Sequence, residues 1–187
     1  MLDRARGFSL LETLLAMAIG SVLLLASARF LPALQLAVSQ HTRLQTVEDD
    51  LWLQLRGIAK HLQRAGYCNG RCSGQPLTIS SNGECVIAQW DANSNGRWES
   101  SASSESEQTG FRLQSGALEI LRGATSCSGR GWEKITDPAQ MTIERFHVVK
   151  QQTADFAPRL TITLAARVAG YSGPPITAQL SVSGYNL

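Results

Sequence analysis

Carboxylate and amide side chains alternate in "DANSNGRWE", at residues 91–99. Asp91, Asn93 and Asn95, followed by a glycine, match D-x-[DN]-x-[DN]-G, the opening of a calcium-binding loop in which side-chain oxygens coordinate the ion. The same residue types also form hairpin turns, because Asx side chains accept hydrogen bonds from the backbone two residues on. The segment is therefore either a calcium loop or a metal-free turn.

The remainder of the calcium pattern is incomplete. A calcium loop needs glutamate at its twelfth position, which is Ala102 here. Glu99 or Glu105 would substitute only with a different loop path. We therefore favour the turn, and we expect no metal or other cofactor.

The chain has four cysteines, and their spacing argues against zinc. The first pair has the spacing C-x3-C, the other spacings are long, and no histidine lies near a pair. An even number of cysteines behind an apolar segment indicates two disulfides in an oxidising compartment. Cys68 and Cys72 flank a turn and favour a local bridge, which leaves Cys85 with Cys127, although the sequence permits three connectivities.

Catalytic and nucleic-acid-binding patterns are not found. The chain contains no G-x-S-x-G, H-E-x-x-H, P-loop or G-x-G-x-x-G sequence. Its net charge is +2, and no run of basic residues provides an electrostatic surface for nucleic acid. His61 is expected to be a surface or boundary residue on the amphipathic helix and not a base, and His147 lies in a predicted strand. We expect neither an enzyme nor direct binding of nucleic acid.

An apolar segment covers residues 8–31 and would position any functional side chain near the amino terminus. It is long enough, as a helix, to cross a hydrocarbon core of about 30 Å. The basic residues before it predict a cytoplasmic amino terminus and an exported carboxy-terminal part. Glu12 lies inside this segment, where a lone carboxylate costs about 2.5–3.5 kcal/mol and usually has a partner.

A cut after Gly7 would supply such a partner. Phe8 would become the new amino terminus, four residues before Glu12. The Glu12 carboxylate of one helix would then neutralise the Phe8 amine of a neighbouring helix and fix the register between subunits. The alternative is a tolerated acid near the headgroups of a plain membrane anchor.

The segment "RGFSLLE" resembles the class III leader of type IV pilins and type II secretion pseudopilins. "GYC", "WDANSNGRWE" and the terminal "SGYNL" are similar to W- and J-type minor pilins. The resemblance implies that a prepilin peptidase removes residues 1–7 and N-methylates Phe8, and that Glu12 acts in assembly. One departure is Pro32, which lies three residues later than the proline of many major pilins.

The rest of the chain predicts a long amphipathic helix followed by strands. Apolar residues recur at gaps of three and four at Leu44, Val47, Leu51, Leu55, Ile58 and Leu62. Short alternating runs then predict strands at residues 77–80, 85–90, 110–114, 117–122, 141–150, 159–168 and 176–185. The polar segment 99–109 is expected to be a mobile loop.

The expected fold class is α+β, a type IV pilin-like fold with a long N-terminal transmembrane-plus-amphipathic helix packed on an antiparallel β-sheet head. The expected divisions are the leader at 1–7, the membrane helix at 8–31, the amphipathic helix at 32–66 and a periplasmic head at 67–187. The resemblance implies a single-pass inner-membrane protein whose partners are prepilin peptidase, membrane lipid and other minor and major pilins.

Three functions remain open at this level. The first is a minor pilin that primes or joins a type IV pilus-like filament. The second is a J-type minor pseudopilin of a type II secretion system, which has the same leader and a similar head. The third is a membrane-anchored module that binds calcium or another ligand.

Overall fold

One helix and eight strands make up the regular structure of the described residues, 9–99 and 106–187, in a computed structural model of the chain. The elements are α1 (Leu10–Arg64), β1 (Leu77–Ile79), β2 (Cys85–Gln89), β3 (Gln108–Gln114), β4 (Ala117–Arg122), β5 (Glu133–Lys134), β6 (Met141–Gln151), β7 (Arg159–Val168) and β8 (Ile176–Ser183). The chain divides into two units, one ending at Leu44 and one beginning at Gln45.

Helix α1 continues through Pro32. Proline removes one backbone hydrogen bond from a helix interior, but the leucine- and alanine-rich residues around it favour the helix. The helix ends at Arg64, and Gly66 follows in the left-handed region with φ 87°. A Cβ at Gly66 would overlap the backbone carbonyl of Asn186, so only glycine fits this helix end.

The carboxy-terminal part of α1 packs into the core of the second unit. Its buried residues are Val47, Leu51, Leu55, Ile58, Ala59 and Leu62. Each fully buried leucine or isoleucine contributes roughly 1.5–3 kcal/mol. The predicted apolar stripe is thus present, except that Leu44 is only half-buried and does not belong to this core.

The strands form two antiparallel sheets, a division that the sequence does not predict. The five-stranded sheet has the order β1-β2-β3-β4-β5, and the three-stranded sheet has the order β6-β7-β8. Alternating burial along β6 and β7 explains why the period-2 pattern located them. Gln108 and Thr109 belong to β3 and not to the predicted mobile loop, and the middle of that loop, 100–105, lies outside the described residues.

Two hairpin turns of the five-stranded sheet contact the three-stranded sheet. Val148 N–H of β6 donates to the carbonyl of Gly83 at 2.9 Å, and Ile143 N–H donates to Gly116 at 2.8 Å. Ser115 and Gly116 both have positive φ, which a tight two-residue hairpin between β3 and β4 requires. These two backbone hydrogen bonds join the sheets along β6.

Helix α1 lies against the five-stranded sheet. The ring of His61 meets the edge of Phe111 on β3 at a centroid distance of 5.2 Å. Two turns earlier, Gln54 donates from Nε2 to the carbonyl of Ile135, just beyond β5, at 3.2 Å. The loops that carry the candidate site residues therefore extend from a sheet that packs against α1 on one face.

Candidate functional site

The amino-terminal turn of α1 is held by Ser9. Glu12 N–H donates to both the carbonyl and the hydroxyl of Ser9, at 3.0 and 3.2 Å, and Thr13 N–H donates to the same carbonyl at 3.2 Å. Ser9 is therefore the N-cap residue, and Glu12 is three positions inside, the Ser-x-x-Glu spacing of a capping box. The partial positive charge of the helix amino terminus also favours a carboxylate there.

This cap at the start of the helix was missed by the sequence analysis. The signal was present, since Ser9 lies three residues before Glu12. Gly7 and Phe8 lie outside the described residues, so the cut between them stays a prediction. The described chain begins at Ser9, one residue after the predicted new amino terminus.

Large apolar side chains are exposed on all sides of the first part of α1. We call these residues the apolar helix surface: Leu10, Leu11, Leu14, Leu15, Met17, Ile19, Val22, Leu23, Leu24, Leu25, Phe30, Leu31, Leu34, Leu36 and Val38. An 18-residue stretch of the helix is strongly apolar, and none of it is buried. A helix that is apolar all round requires a lipid or protein environment, and its length and composition suffice to cross a membrane.

The Asp91 carboxylate holds its own loop together. Oδ2 accepts from the N–H groups of Asn69 and Gly96, both at 2.9 Å, and Oδ1 accepts from Asn95 N–H at 3.0 Å. Burial alone would raise the pKa of Asp91, but hydrogen bonds from these N–H groups and from that of Ser94 outweigh burial, so the pKa lies below its ordinary value. Asp91 thus stays ionised as the backbone acceptor of the loop.

The two asparagines of the loop act in the same way. The Asn93 side-chain oxygen accepts from Asn95 N–H at 2.9 Å, and the Asn95 oxygen accepts from Arg97 N–H at 3.0 Å. The predicted calcium donors therefore serve as acceptors in successive Asx turns.

The four cysteines form two disulfides. Cys68 pairs with Cys72, and Cys85 pairs with Cys127. The Asp91 carboxylate lies within 4.8 Å of the sulfurs of Cys68 and Cys72. Because both sulfurs are in a disulfide and not thiolates, this cluster has no metal-binding sulfur ligands.

A cleft of about 500 Å³ opens between α1 and the carboxy-terminal end of β2. Its lining residues are His61, Trp90, Ala92, Asn93, Ser106, Glu107, Thr109 and Arg122. Three of them carry a buried polar atom that makes no hydrogen bond within the described residues: His61 Nδ1, Ser106 Oγ and Glu107 Oε2. Sequence reasoning did not find this cleft, because its residues come from α1, two loops and two strands.

Comparison with known proteins decides the family. Residues 39–184 match the family model "Prepilin peptidase-dependent protein B", and residues 2–28 match the model "Prokaryotic N-terminal methylation motif". The chain belongs to the prepilin peptidase-dependent protein B family. The family member of that name from Escherichia coli strain K12 is 52% identical over 184 residues, which cover 98% of each chain.

The family assignment agrees with the architecture described above. Its amino-terminal methylation motif covers the capped start of α1, and the "protein B" model covers the lower half of the helix and the strands. Among solved structures, a type IV-like pilin from Thermus thermophilus matches 75% of this chain and 96% of its own, with 17% identity and a TM-score of 0.48. The described residues are α+β, with one long amino-terminal helix followed by antiparallel sheets, as the sequence predicts.

In this prepilin peptidase-dependent chain, His61 should make the stability of the head depend on pH. Burial, and then the charges of Arg64 and Arg122, lower the pKa of His61 to about 4. Between pH 6.5 and 4 the unfolded chain binds a proton that the folded chain does not, so stability falls as the pH falls. With allowance for partial exposure, we expect a loss of about 1 kcal/mol, or roughly 2–4 °C in Tm, by pH 5.

The variant His61→Phe tests this expectation. Phenylalanine keeps an aromatic ring near Trp90, whose ring centroid lies 4.8 Å from that of His61, but does not titrate. The Tm of variant and wild type, measured in detergent at pH 7.5 and pH 5, should diverge in favour of the variant at the lower pH. A constant difference across this range would show that His61 does not carry the effect.

Proposed function

We propose that this chain is the precursor of a minor pilin, a structural subunit that primes or joins assembly of a type IV pilus-like filament. The observation that carries the proposal is the apolar helix surface. This surface begins at Leu10, two residues after Phe8, which is the predicted first residue of the cleaved chain. Its side chains are exposed on all sides of the helix. In a filament, the same surfaces of neighbouring helices would cover one another.

Processing is the first step that we propose. Prepilin peptidase would cut between Gly7 and Phe8 and methylate the Phe8 amine. The match of residues 2–28 to the methylation motif supports this step, and so does the name of the 52% identical relative. Because Ser9 caps α1, the cut would leave a single residue, Phe8, before the N-cap.

Before assembly, we propose that α1 crosses the inner membrane once. Arg4 and Arg6 precede the apolar segment and would keep the amino terminus in the cytoplasm. The head would then lie in the periplasm, an oxidising compartment in which Cys85 and Cys127 form a disulfide.

Assembly would use the charge of Glu12. The exposed Glu12 carboxylate at the start of one helix would meet the Phe8 amine of an adjoining subunit. In an apolar helix bundle, pairing removes the cost of both isolated charges. The partners on this proposal are other minor and major pilins.

The intact mass of the membrane-extracted chain tests the proposal. In cells with prepilin peptidase, we expect the mass of residues 8–187 plus one methyl group, and in cells without the peptidase we expect the full chain. An uncut chain in both strains, or a cut after the apolar segment, would overturn the proposal. Cross-linking of the processed chain would then identify whether its neighbours belong to a pilus or to a secretion pseudopilus.

A further inference from the structure

We propose that the carboxylates of Glu99 and Glu107 bind a divalent cation, and that this cation is Ca²⁺. Glu107 is only 6% exposed. Its Oε2 is buried and accepts no hydrogen bond from any described residue, and the same holds for Oε2 of Glu99. Glu107 N–H donates to the backbone carbonyl of Glu99 at 3.2 Å, and the two side chains are close enough to interact.

The other oxygen of each carboxylate is already held. Glu107 Oε1 accepts from the N–H groups of Ala92 and Asn93 at 2.6 and 3.2 Å. Glu99 Oε1 accepts from the side-chain amide of Asn95 at 2.6 Å. Both carboxylates are thus fixed at one end by the 91–99 loop, and the second oxygen of each is buried without a hydrogen-bond partner among the described residues.

Two buried carboxylate groups that lie close together need a positive charge between them. Without one, like charges in a water-poor environment repel, and each oxygen loses the hydrogen bonds that it makes in water. Burial first, and then the contact with Glu99, raise the pKa of Glu107, which shows that the charged form is under-compensated as the protein stands. The hydrogen bond from Asn95, and then the contact with Glu107, lower the pKa of Glu99, so Glu99 carries the negative charge of the pair; the charge of Asp91 opposes this only weakly.

The donor set favours Ca²⁺ over other cations. It consists of oxygens, which hard cations prefer, and it contains no imidazole nitrogen or thiolate of the kind that zinc prefers. Ser106 Oγ lines the same cleft as Glu107, is also buried, and makes no hydrogen bond in the described part of the chain. The cleft leaves room for water ligands, and Ca²⁺ tolerates an irregular shell of six to eight oxygens, whereas Mg²⁺ demands a near-ideal octahedron.

This site differs from the one that the D-x-[DN]-x-[DN]-G spacing indicates. In that pattern Asp91 would be a ligand, but here both of its oxygens accept backbone N–H groups. The loop instead positions Glu99 and Glu107, which are eight residues apart in sequence and come together only in the fold. Arg122 lines the cleft and is the cationic group that would compete with the ion.

Thermal unfolding of the mature full-length chain in detergent tests the proposal. The probe is CaCl₂ added to protein first treated with a chelator. The readouts are near-UV circular dichroism and tryptophan fluorescence, because Trp90 directly precedes the 91–99 loop and Trp98 lies in it. At about a hundredfold excess over the dissociation constant, we expect Tm to rise by roughly 5–10 °C, and we expect a smaller rise with MgCl₂. Isothermal titration should give one ion per chain.

Three variants make the test specific. Glu107→Gln and Glu99→Gln keep an acceptor oxygen for the loop but lose the charge, so each should lose the calcium-dependent rise in Tm. The exposed Glu133→Gln is the matched control and should keep it.

Two outcomes would overturn the proposal. One is a wild-type Tm that is equal in chelator and in millimolar Ca²⁺, with Glu107→Gln more stable than wild type at neutral pH, which would mean that the pair shares a proton. The other is an equal rise in wild type and in both site variants, which would place the ion elsewhere.

Discussion

Exchange of Glu12 for alanine is expected to reduce incorporation of the mature chain into filaments on the order of a hundredfold, with normal cleavage after Gly7. On our proposal, the exchange leaves the Phe8 amine of the adjoining subunit unpaired among apolar helices. An isolated charge in such surroundings costs about 2.5–3.5 kcal/mol, and each 1.4 kcal/mol corresponds to a factor of ten. The measurement is the ratio of the processed chain in sheared filaments to that in membranes.

Two further variants separate this assembly role from the capping role at the helix start. Glu12→Gln keeps a side chain that completes a capping box but carries no charge, so it should fail in assembly as alanine does. Ser9→Ala removes the hydroxyl that accepts from Glu12 N–H and leaves the charge, so it should assemble nearly as wild type does. The reverse result, with glutamine active and Ser9→Ala inactive, would show that Glu12 acts by starting the helix.

Removal of the Cys85–Cys127 disulfide is expected to lower the free energy of unfolding by about 4 kcal/mol, or roughly 10–15 °C in Tm. The bond closes a loop with a sequence separation of 42, so its loss restores much conformational freedom to the unfolded chain. Arg112 holds the Cys127 carbonyl at 2.9 Å and pairs with Glu119 at 2.8 Å, so the folded loop keeps two other contacts. The variant Cys85→Ala/Cys127→Ala, unfolded in urea, gives the value.

The second disulfide is the matched control. Cys68 and Cys72 are only four residues apart, and on the same chain-entropy argument their double alanine variant should lose about half as much free energy. Equal losses from the two double variants would contradict the argument from loop length. A larger loss from the short loop would mean that the Cys68–Cys72 bridge stabilises the Asp91 loop beside it.

The sequence predicts those parts of the fold that have a local pattern. Strands β4 and β7 have the bounds that alternation and turn residues indicate, and α1 follows its apolar period. Strand β5 was missed because it consists of Glu133 and Lys134 alone. These two polar residues are a strand only because they pair with β4, and such pairing has no local signal.

The candidate site shows the same limit. The Asx-rich loop and the capped helix start are visible as spacings within a few residues. Glu99 and Glu107 come close together only because their loops meet in the fold. The pKa of His61 is lowered for the same kind of reason, since other loops and strands pack around it beside α1. The division of the strands into two sheets is likewise set by contacts distant in sequence.

The hydrogen bonds from β6 to the two hairpin turns have a consequence for self-association. They occupy N–H groups on the outer side of β6, so among the described strands of the three-stranded sheet the long unpaired edge is that of β8. The edge strands β1 and β5 of the other sheet have three and two residues, too few to template another chain. A sheet with one free edge can pair with the same edge of one other copy, and no free edge then remains. Edge-to-edge contact between concentrated heads would therefore give closed dimers and not open-ended fibrils.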